Sequence, residues 1–269
     1  MVKVKTKQLE TKLRKQVSRF LSEEIQKNRQ LSAFFKKLEE KSLQQGWIAY
    51  LCGGALRNLV LGGKRLPRDL DIVINFASLG ELEKEFSGFP CRPTNLGGIC
   101  LQIHDWSIDI WPLSETWALK QNSQRKQADI FAFLQTTFLN IDAIAVQLFT
   151  RTKKKRDIYS NGFFEAIENK CIEVNLAENP NPSVCIVKAL VLRYKFGFQM
   201  GAKLSTYILN ELKKLNIDDL REIYRKRYQV AGLDTFLEDS IYELQKMDLS
   251  VCQNKKRNSC YQLEFTFSK

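Results

Sequence analysis

The chain has 269 residues, of which 44% are hydrophobic and 11% aromatic. This composition supports the core of one large or two modest domains and excludes an intrinsically disordered protein. The 42 Lys and Arg residues outnumber the 30 Asp and Glu residues, which gives a formal net charge of +12 at pH 7. Such a surplus favours a polyanionic partner, because each phosphate that a protein neutralises releases counterions. A basic, solvated surface that aids solubility is the alternative interpretation.

The seven cysteines are scattered along the chain, and none belongs to a C-x-x-C pair. This pattern indicates neither a zinc site nor a disulfide framework, and it is typical of a reducing, cytoplasmic compartment. The N-terminus alternates lysines with apolar residues instead of building the apolar run of a signal peptide. No stretch reaches the length of a membrane span, so we expect no membrane partner.

Residues 1–45 are expected to form a basic helical arm. Apolar residues recur at helical spacing from Leu9 to Leu21, and less regularly from Ile25 to Leu38. Lysines and arginines are frequent in the first of these two segments. The apolar stripe predicts that the arm packs on the domain that follows it, and contact with a phosphate backbone is the alternative role.

Residues 46–155 alternate between strand-like and helix-like patterns. The strand-like runs are residues 47–52, 71–74, 99–103 and 107–111. Residues 55–61 follow a helical pattern that begins after the pair Gly53-Gly54. This alternation predicts an α+β domain in which helices pack on a mixed sheet.

Residues 156–269 are expected to be mainly helical. Helical patterns follow one another from about residue 163, and alternating apolar residues between Tyr261 and Phe267 favour a terminal strand. The polar and basic segment 120–128 predicts a loop in the preceding domain. The sequence therefore predicts an arm, an α+β head and an all-helical body, in that order.

Two aspartates form the feature with the clearest chemistry. Asp69 and Asp71 are two residues apart in a strand-like segment, so their carboxylates project to one face while Leu70 enters the core. Two carboxylates this close repel each other unless a cation lies between them, and hard oxygen ligands suit Mg²⁺. Upstream, Gly53-Gly54 separates a strand from a helix, where the backbone can approach phosphates closely.

These features together resemble the signature of a known family. The run Gly-Gly-Ala-Leu-Arg-Asn-Leu-Val-Leu-Gly at 53–62, followed by Arg-Asp-Leu-Asp at 68–71, is similar to class II CCA-adding enzymes and bacterial poly(A) polymerases. Both belong to the polymerase β nucleotidyltransferase superfamily. The run Ser-Ile-Asp-Ile at 107–110 resembles the strand that carries the superfamily's third carboxylate. Residues 164–172 and 188–198 are similar to the segments that lead into and form the family's neck.

The resemblance implies a polymerase β-like nucleotidyltransferase head with a mixed sheet, followed by a helical neck and body. The implied reaction is in-line attack of a hydroxyl on the α-phosphorus of a nucleoside triphosphate, assisted by two Mg²⁺ ions. The catalytic residues and metal ligands that it implies are Asp69, Asp71 and Asp109. The nucleotide-binding residues that it implies are Gly53, Gly54, Arg57 and Arg68. A salt bridge at a helix surface is the alternative role for Arg57, and an exposed strand carboxylate is the alternative for Asp109.

Three motifs depart from the family's pattern. Asn58 stands where family members have Asp after the Arg of the first motif. The ribose-contacting string Arg-Arg-Asp-Phe-Thr-x-Asn-Ala corresponds to residues 136–143, anchored on Asp142-Ala143, and its arginines are absent. The base-reading motif Glu-Asp-x-x-Arg falls on Asn181, Pro182 and Cys185. The metal-binding carboxylates are therefore retained, whereas the residues that select the nucleotide are not.

These features predict transfer of a nucleoside monophosphate from a nucleoside triphosphate to an RNA 3′ end, with tRNA as the favoured acceptor. Two alternatives stay open, namely nucleotidylation of a protein or small molecule, and binding of RNA or nucleotide without turnover. The clustered carboxylates favour an active enzyme, since an inactive site has no chemical need for them. The sequence determines neither the transferred nucleotide nor the oligomeric state.

Overall fold

A computed structural model describes residues 2–62, 69–121, 128–150, 154–228, 239 and 242, with side chains from residue 6 onward. Arg68 of the predicted nucleotide site and the predicted terminal strand lie outside the described residues. Contacts between residues divide the chain into two compact units, one of residues up to 137 together with 141–164, the other of 138–140 and the residues from 165 onward.

The secondary structure alternates as the sequence indicates. The helices are α1 (Val2–Arg19), α2 (Arg29–Gln44), α3 (Gly54–Val60), α4 (Leu79–Phe86), α5 (Trp117–Gln121), α6 (Ile130–Gln135), α7 (Phe163–Asn169), α8 (Pro182–Phe196), α9 (Ala202–Leu212) and α10 (Ile217–Arg227). The strands are β1 (Ile48–Cys52), β2 (Asp69–Asn75), β3 (Cys91–Pro93), β4 (Ile99–Ile103), β5 (Trp106–Pro112), β6 (Ile144–Gln147), β7 (Ile158–Ser160), β8 (Cys171–Ile172) and β9 (Gln199–Met200). Within the described segments, no helix combines the length and apolarity that crossing a membrane requires.

A seven-stranded mixed sheet forms the centre of the first unit, in the order β3-β4-β5-β2-β1-β6-β7. Strands β2 and β5 are parallel, and the other neighbours in this sheet are antiparallel. In β2, Leu70, Ile72, Val73 and Ile74 are buried, so this strand runs through the core. The mixed sheet with packed helices confirms the predicted α+β fold class.

The N-terminal arm packs within the first unit. Helix α1 is followed by a π-helical turn (Phe20–Glu24) and a 3₁₀ turn (Ile25–Lys27) before α2 begins. Leu13 and Val17 are fully buried, and the Lys12 ammonium donates to the carbonyl of Val60 at the end of α3 (3.3 Å). The apolar stripe of the arm therefore packs on the domain, while Lys7, Lys12 and Lys15 are exposed.

Helix α4 and strand β3, which lie between β2 and β4, were not among the predicted elements. A capping box starts α4: the Ser78 hydroxyl accepts the Glu81 N–H (3.3 Å), and the Glu81 carboxylate accepts the Ser78 N–H (2.7 Å). These reciprocal bonds satisfy two N–H groups that a helix start leaves unpaired. The connection from β2 to β5 is therefore an ordered crossover.

The second unit is mainly helical in its described part. Helices α9 and α10 both pack against α8. The first residue before α9 is Gly201, which has no side chain to cap the helix. Glu173 caps it from a distance, because its carboxylate accepts the N–H groups of Lys203 (3.2 Å) and Leu204 (2.6 Å).

Replacing Glu173 with Ala is expected to lower the free energy of unfolding by about 1–2 kcal/mol, because two N–H groups at the start of α9 lose their acceptor. Urea unfolding followed by circular dichroism measures this change. The exposed Glu178, replaced in the same way, serves as the control and should leave the unfolding free energy unchanged. Equal stabilities for the two variants would contradict the capping role.

Candidate active site

Asp69 and Asp71 lie at the start of β2, with Leu70 buried between them. Asp69 is exposed and Asp71 is half-buried, so the two aspartates share the face of the sheet opposite to Leu70. The parallel register places Asp71 beside Asp109 of β5. Neighbouring strands are ~4.8 Å apart and residues in register point to the same face, so these two carboxylates are side by side.

Two cysteine thiols flank the carboxylates in the same row of the sheet. Cys52 of β1 pairs with Asp71, and Cys100 of β4 pairs with Asp109. Burial, and then the negative charge of Asp71, raise the pKa of the Cys52 thiol. Burial and a hydrogen bond with Asp109 raise the pKa of the Cys100 thiol. Both thiols are therefore neutral near pH 7 and add no negative charge to the row.

Gly53 brings the backbone close to Asp71. Its φ of +69° is a conformation that side chains disfavour, and a Cβ atom there would lie 3.3 Å from Oδ2 of Asp71. The Gly53 N–H donates to the carbonyl of Ile144 (3.0 Å), which ties the turn to β6. Helix α3 begins at Gly54, directly after this turn. Any other residue at position 53 would fill the space beside the carboxylate.

Arg57 is buried beneath the glycine turn, with 8% of its surface exposed. Its guanidinium forms an ion pair with Asp142, which is 3% exposed. Its Nε and Nη2 groups donate to Oδ1 of Asn58 (3.3 and 3.2 Å). The structure therefore gives Arg57 a buried salt bridge, whereas the alternative from the sequence was a salt bridge at a helix surface, and its direct contact with a triphosphate stays a prediction.

Asp142 is a residue of this region that sequence reasoning did not select. It lies just before β6, and its backbone carbonyl is 4.0 Å from the position that a Cβ of Gly53 would take. The available signal was its place in the string that departs from the family's ribose-contacting motif. A carboxylate that pairs with a distant arginine leaves no local pattern in a sequence.

Asp69, Asp71 and Asp109 form a carboxylate row, and this row fits a magnesium site whose other ligands are waters or phosphate oxygens. In the described part of the chain, no three His, Cys, Asp or Glu side chains form a group that could hold a metal ion. The aspartates nevertheless supply hard oxygen donors from two adjacent strands, and the glycine keeps the space beside Asp71 open. Mg²⁺ in proteins usually keeps waters and phosphate oxygens beside one or two carboxylates, so this donor set suits it.

Comparisons with known proteins identify the fold. No protein-family model matches the sequence, and no curated protein matches it significantly. The Thermotoga maritima CCA-adding enzyme in complex with tRNA is 17% identical, with a TM-score of 0.62 over 90% of this chain and 57% of that one. A CCA-adding enzyme with CTP is 19% identical, with a TM-score of 0.60 over 88% and 55%. A tRNA nucleotidyltransferase with a primer tRNA and an ATP analogue is 18% identical, with a TM-score of 0.59 over 78% and 61%.

The chain thus spans 55–61% of the length of these solved structures. At 17–19% identity, the similarity shows the fold rather than the activity. It agrees with the resemblance carried by the glycine pair and the aspartates of β2. The chain therefore shares the α+β fold of these CCA-adding enzymes and tRNA nucleotidyltransferases.

Proposed function

We propose that the chain is a metal-dependent nucleotidyltransferase that adds a nucleoside monophosphate to an RNA 3′ end, with tRNA as the favoured acceptor. The alignment of Asp71 with Asp109, with Asp69 on the same face, is the observation that carries this proposal. The similarity to enzymes in complex with tRNA and nucleotides supports it. The net charge of +12 supports a polyanionic acceptor.

The residues of the row have separate tasks in this mechanism. Asp69 and Asp71 would hold two Mg²⁺ ions from β2, and Asp109 would complete the set from β5. When bound, such ions stabilise the charge on the attacking and leaving oxygens of an in-line displacement. Asp109 would also help to accept the proton of the attacking 3′-hydroxyl, while the hydroxyl oxygen forms a bond to the α-phosphorus. Pyrophosphate leaves from the opposite side.

The nucleotide would lie over the turn before α3. Gly53 leaves room beside Asp71, where the triphosphate would lie, and Gly54 leaves room for the guanidinium of Arg57, which forms the ion pair with Asp142. Arg68, which directly precedes the first aspartate of β2, is proposed as a cation that contacts the phosphates. These assignments rest on the motif resemblance and on the position of the turn beside Asp71.

A second candidate function is nucleotidylation of a protein or a small molecule. Cys185 occupies the place of the Arg in the family's base-reading motif, and it is only 6% exposed in α8. Its thiol is neutral, because burial raises its pKa to about 11. A buried, neutral side chain cannot read a base as an exposed arginine does, so nucleotide selection must work differently here.

Incubation of the purified protein with Mg²⁺, each labelled nucleoside triphosphate in turn, and total tRNA tests the first proposal. We expect label on RNA with one or more triphosphates, and none when Mg²⁺ is removed by chelation. Gel separation of the products counts the added nucleotides. Label on protein or on a small molecule, with none on RNA, would reject the RNA acceptor and favour the second candidate.

A further inference from the structure

One buried ion pair lies beside the glycine turn of the candidate site. Arg57 and Asp142 lie on different segments, α3 and the turn before β6, and both are almost completely buried. An arginine keeps its charge in proteins, so burying it is costly unless a carboxylate is close. The pair holds α3 against the segment before β6.

The acceptors of the Arg57 guanidinium include a carboxylate oxygen and an amide oxygen. Asp142 accepts from Nη1, whereas Oδ1 of the half-buried Asn58 accepts from Nε and Nη2. Asp and Asn side chains have the same shape, and both present an oxygen acceptor. The negative charge could therefore stand at either position without changing the geometry around the guanidinium.

We propose that Asp142 supplies a counter-charge of Arg57 and thereby acts as a positioning residue for the glycine turn. Asn58 presents its amide oxygen to the same guanidinium. An exchange of the charge between positions 58 and 142 would therefore keep a carboxylate beside Arg57.

The ion pair reaches the candidate nucleotide site through the backbone. The Arg57 N–H donates to the carbonyl of Gly53 (3.2 Å), and a Cβ on Gly54 would lie 3.2 Å from Nη2 of Arg57. On the other side, the Gly53 N–H donates to the carbonyl of Ile144, two residues after Asp142. The pair thus joins the two segments that hold the turn beside Asp71. This inference rests on the proposed function, because the turn is assigned to the triphosphate.

The test is an exchange cycle of four proteins: the native chain, Asn58→Asp, Asp142→Asn and the double variant. Asp142→Asn leaves the buried guanidinium with two neutral amides, and Asn58→Asp crowds it with two carboxylates. We expect either single change to raise the Kd for the magnesium–triphosphate complex about tenfold, which corresponds to a loss of ~1.4 kcal/mol in binding free energy. We expect the double variant to return to within about threefold of the native Kd, since one charge is restored.

Equilibrium dialysis with labelled triphosphate measures Kd, and thermal unfolding without nucleotide measures stability. A matched exchange at two exposed positions, Asn210→Asp with Asp219→Asn, alters the same groups and should change neither quantity. A double variant no better than the worse single variant would overturn the exchange. Recovery of the unfolding temperature without recovery of Kd would overturn the positioning role and leave a purely structural pair.

The proposed function and this inference fail in different ways. If the native chain binds triphosphate but transfers it to no RNA, the proposed acceptor is wrong, while the exchange cycle is still decided by Kd. If the native chain binds no triphosphate with Mg²⁺, the positioning role is overturned together with the nucleotide site. Rescue of Kd in the double variant supports the inference in either activity outcome.

Discussion

Asp71→Asn is expected to lower kcat by about 10³-fold or more, on the scale that loss of one electrostatic group costs an active site. The variant keeps the size of the side chain but removes the charge that would bind Mg²⁺. Without metal, we expect its unfolding temperature to equal or exceed that of the native protein. The reason is that Asp71 lies beside Asp109, and removing one of two adjacent like charges relieves their repulsion.

Turnover with labelled triphosphate and thermal unfolding with and without Mg²⁺ and nucleotide together test this result. The native protein should gain thermal stability from Mg²⁺ with nucleotide, because a ligand that binds only the folded state stabilises it. Asp71→Asn should gain much less. The exposed Glu83 of α4, replaced with Gln, is the control for loss of a carboxylate elsewhere in the head. Turnover of Asp71→Asn within tenfold of the native rate would reject the metal-ligand role.

Gly53→Ala is expected to lower both stability and nucleotide affinity. A residue with a side chain at φ +69° is strained, which costs on the order of 1–3 kcal/mol. The new methyl group would also lie 3.3 Å from Oδ2 of Asp71, a contact that displaces the carboxylate or the turn. We therefore expect KM for the triphosphate to rise and kcat to fall together, measured by steady-state kinetics.

Gly197→Ala is the matched control for backbone strain. Gly197 ends α8 with a φ of +64°, and a Cβ there would have no heavy atom within 4 Å. This variant should lose stability on the order of 1 kcal/mol, yet keep the native KM for the triphosphate. If both glycine variants showed the same KM, the contact with Asp71 would have no role in nucleotide binding.

The local half of the site could be predicted from the sequence, because it depends on strand periodicity alone. Two residues of a strand that are two positions apart share a face, and this places Asp69 with Asp71. The partnership of Asp71 with Asp109 depends on the register between two strands, which no local pattern encodes. Only the family resemblance pointed to Asp109.

The burial of Arg57 illustrates what local patterns miss. An arginine in a short helix after a glycine turn is equally compatible with a phosphate contact and with a salt bridge. The choice depends on Asp142, whose position beside the guanidinium follows from the pairing of β1 with β6. Such a partner becomes visible only when the sheet order is known.

Helix α4 and strand β3, which were not predicted, differ in how clear their sequence signals are. The start of helix α4 has a clear sequence signal, because Ser78 is followed three residues later by Glu81, which is the spacing of a capping box. Strand β3 has three exposed residues and ends at Pro93, so it carries no alternation that could be recognised. Strands β1, β2, β4 and β5 were predicted because burial imposes their pattern, whereas the buried strand β6 was not predicted.

The candidate site forms only when β2 and β5 pair, because this pairing brings Asp71 and Asp109 together. Residues 76–105, which contain α4, β3 and β4, separate β2 from β5 along the chain, so Asp71 meets Asp109 only when this segment is closed into a loop. Closing a loop of this length has an entropic cost that precedes any gain from the contact. A peptide with the glycine pair and the two aspartates of β2 would therefore lack the third carboxylate. The neighbouring positions of Asp71 and Asp109 are therefore a property of the completed sheet, and they depend on a segment that contributes neither residue.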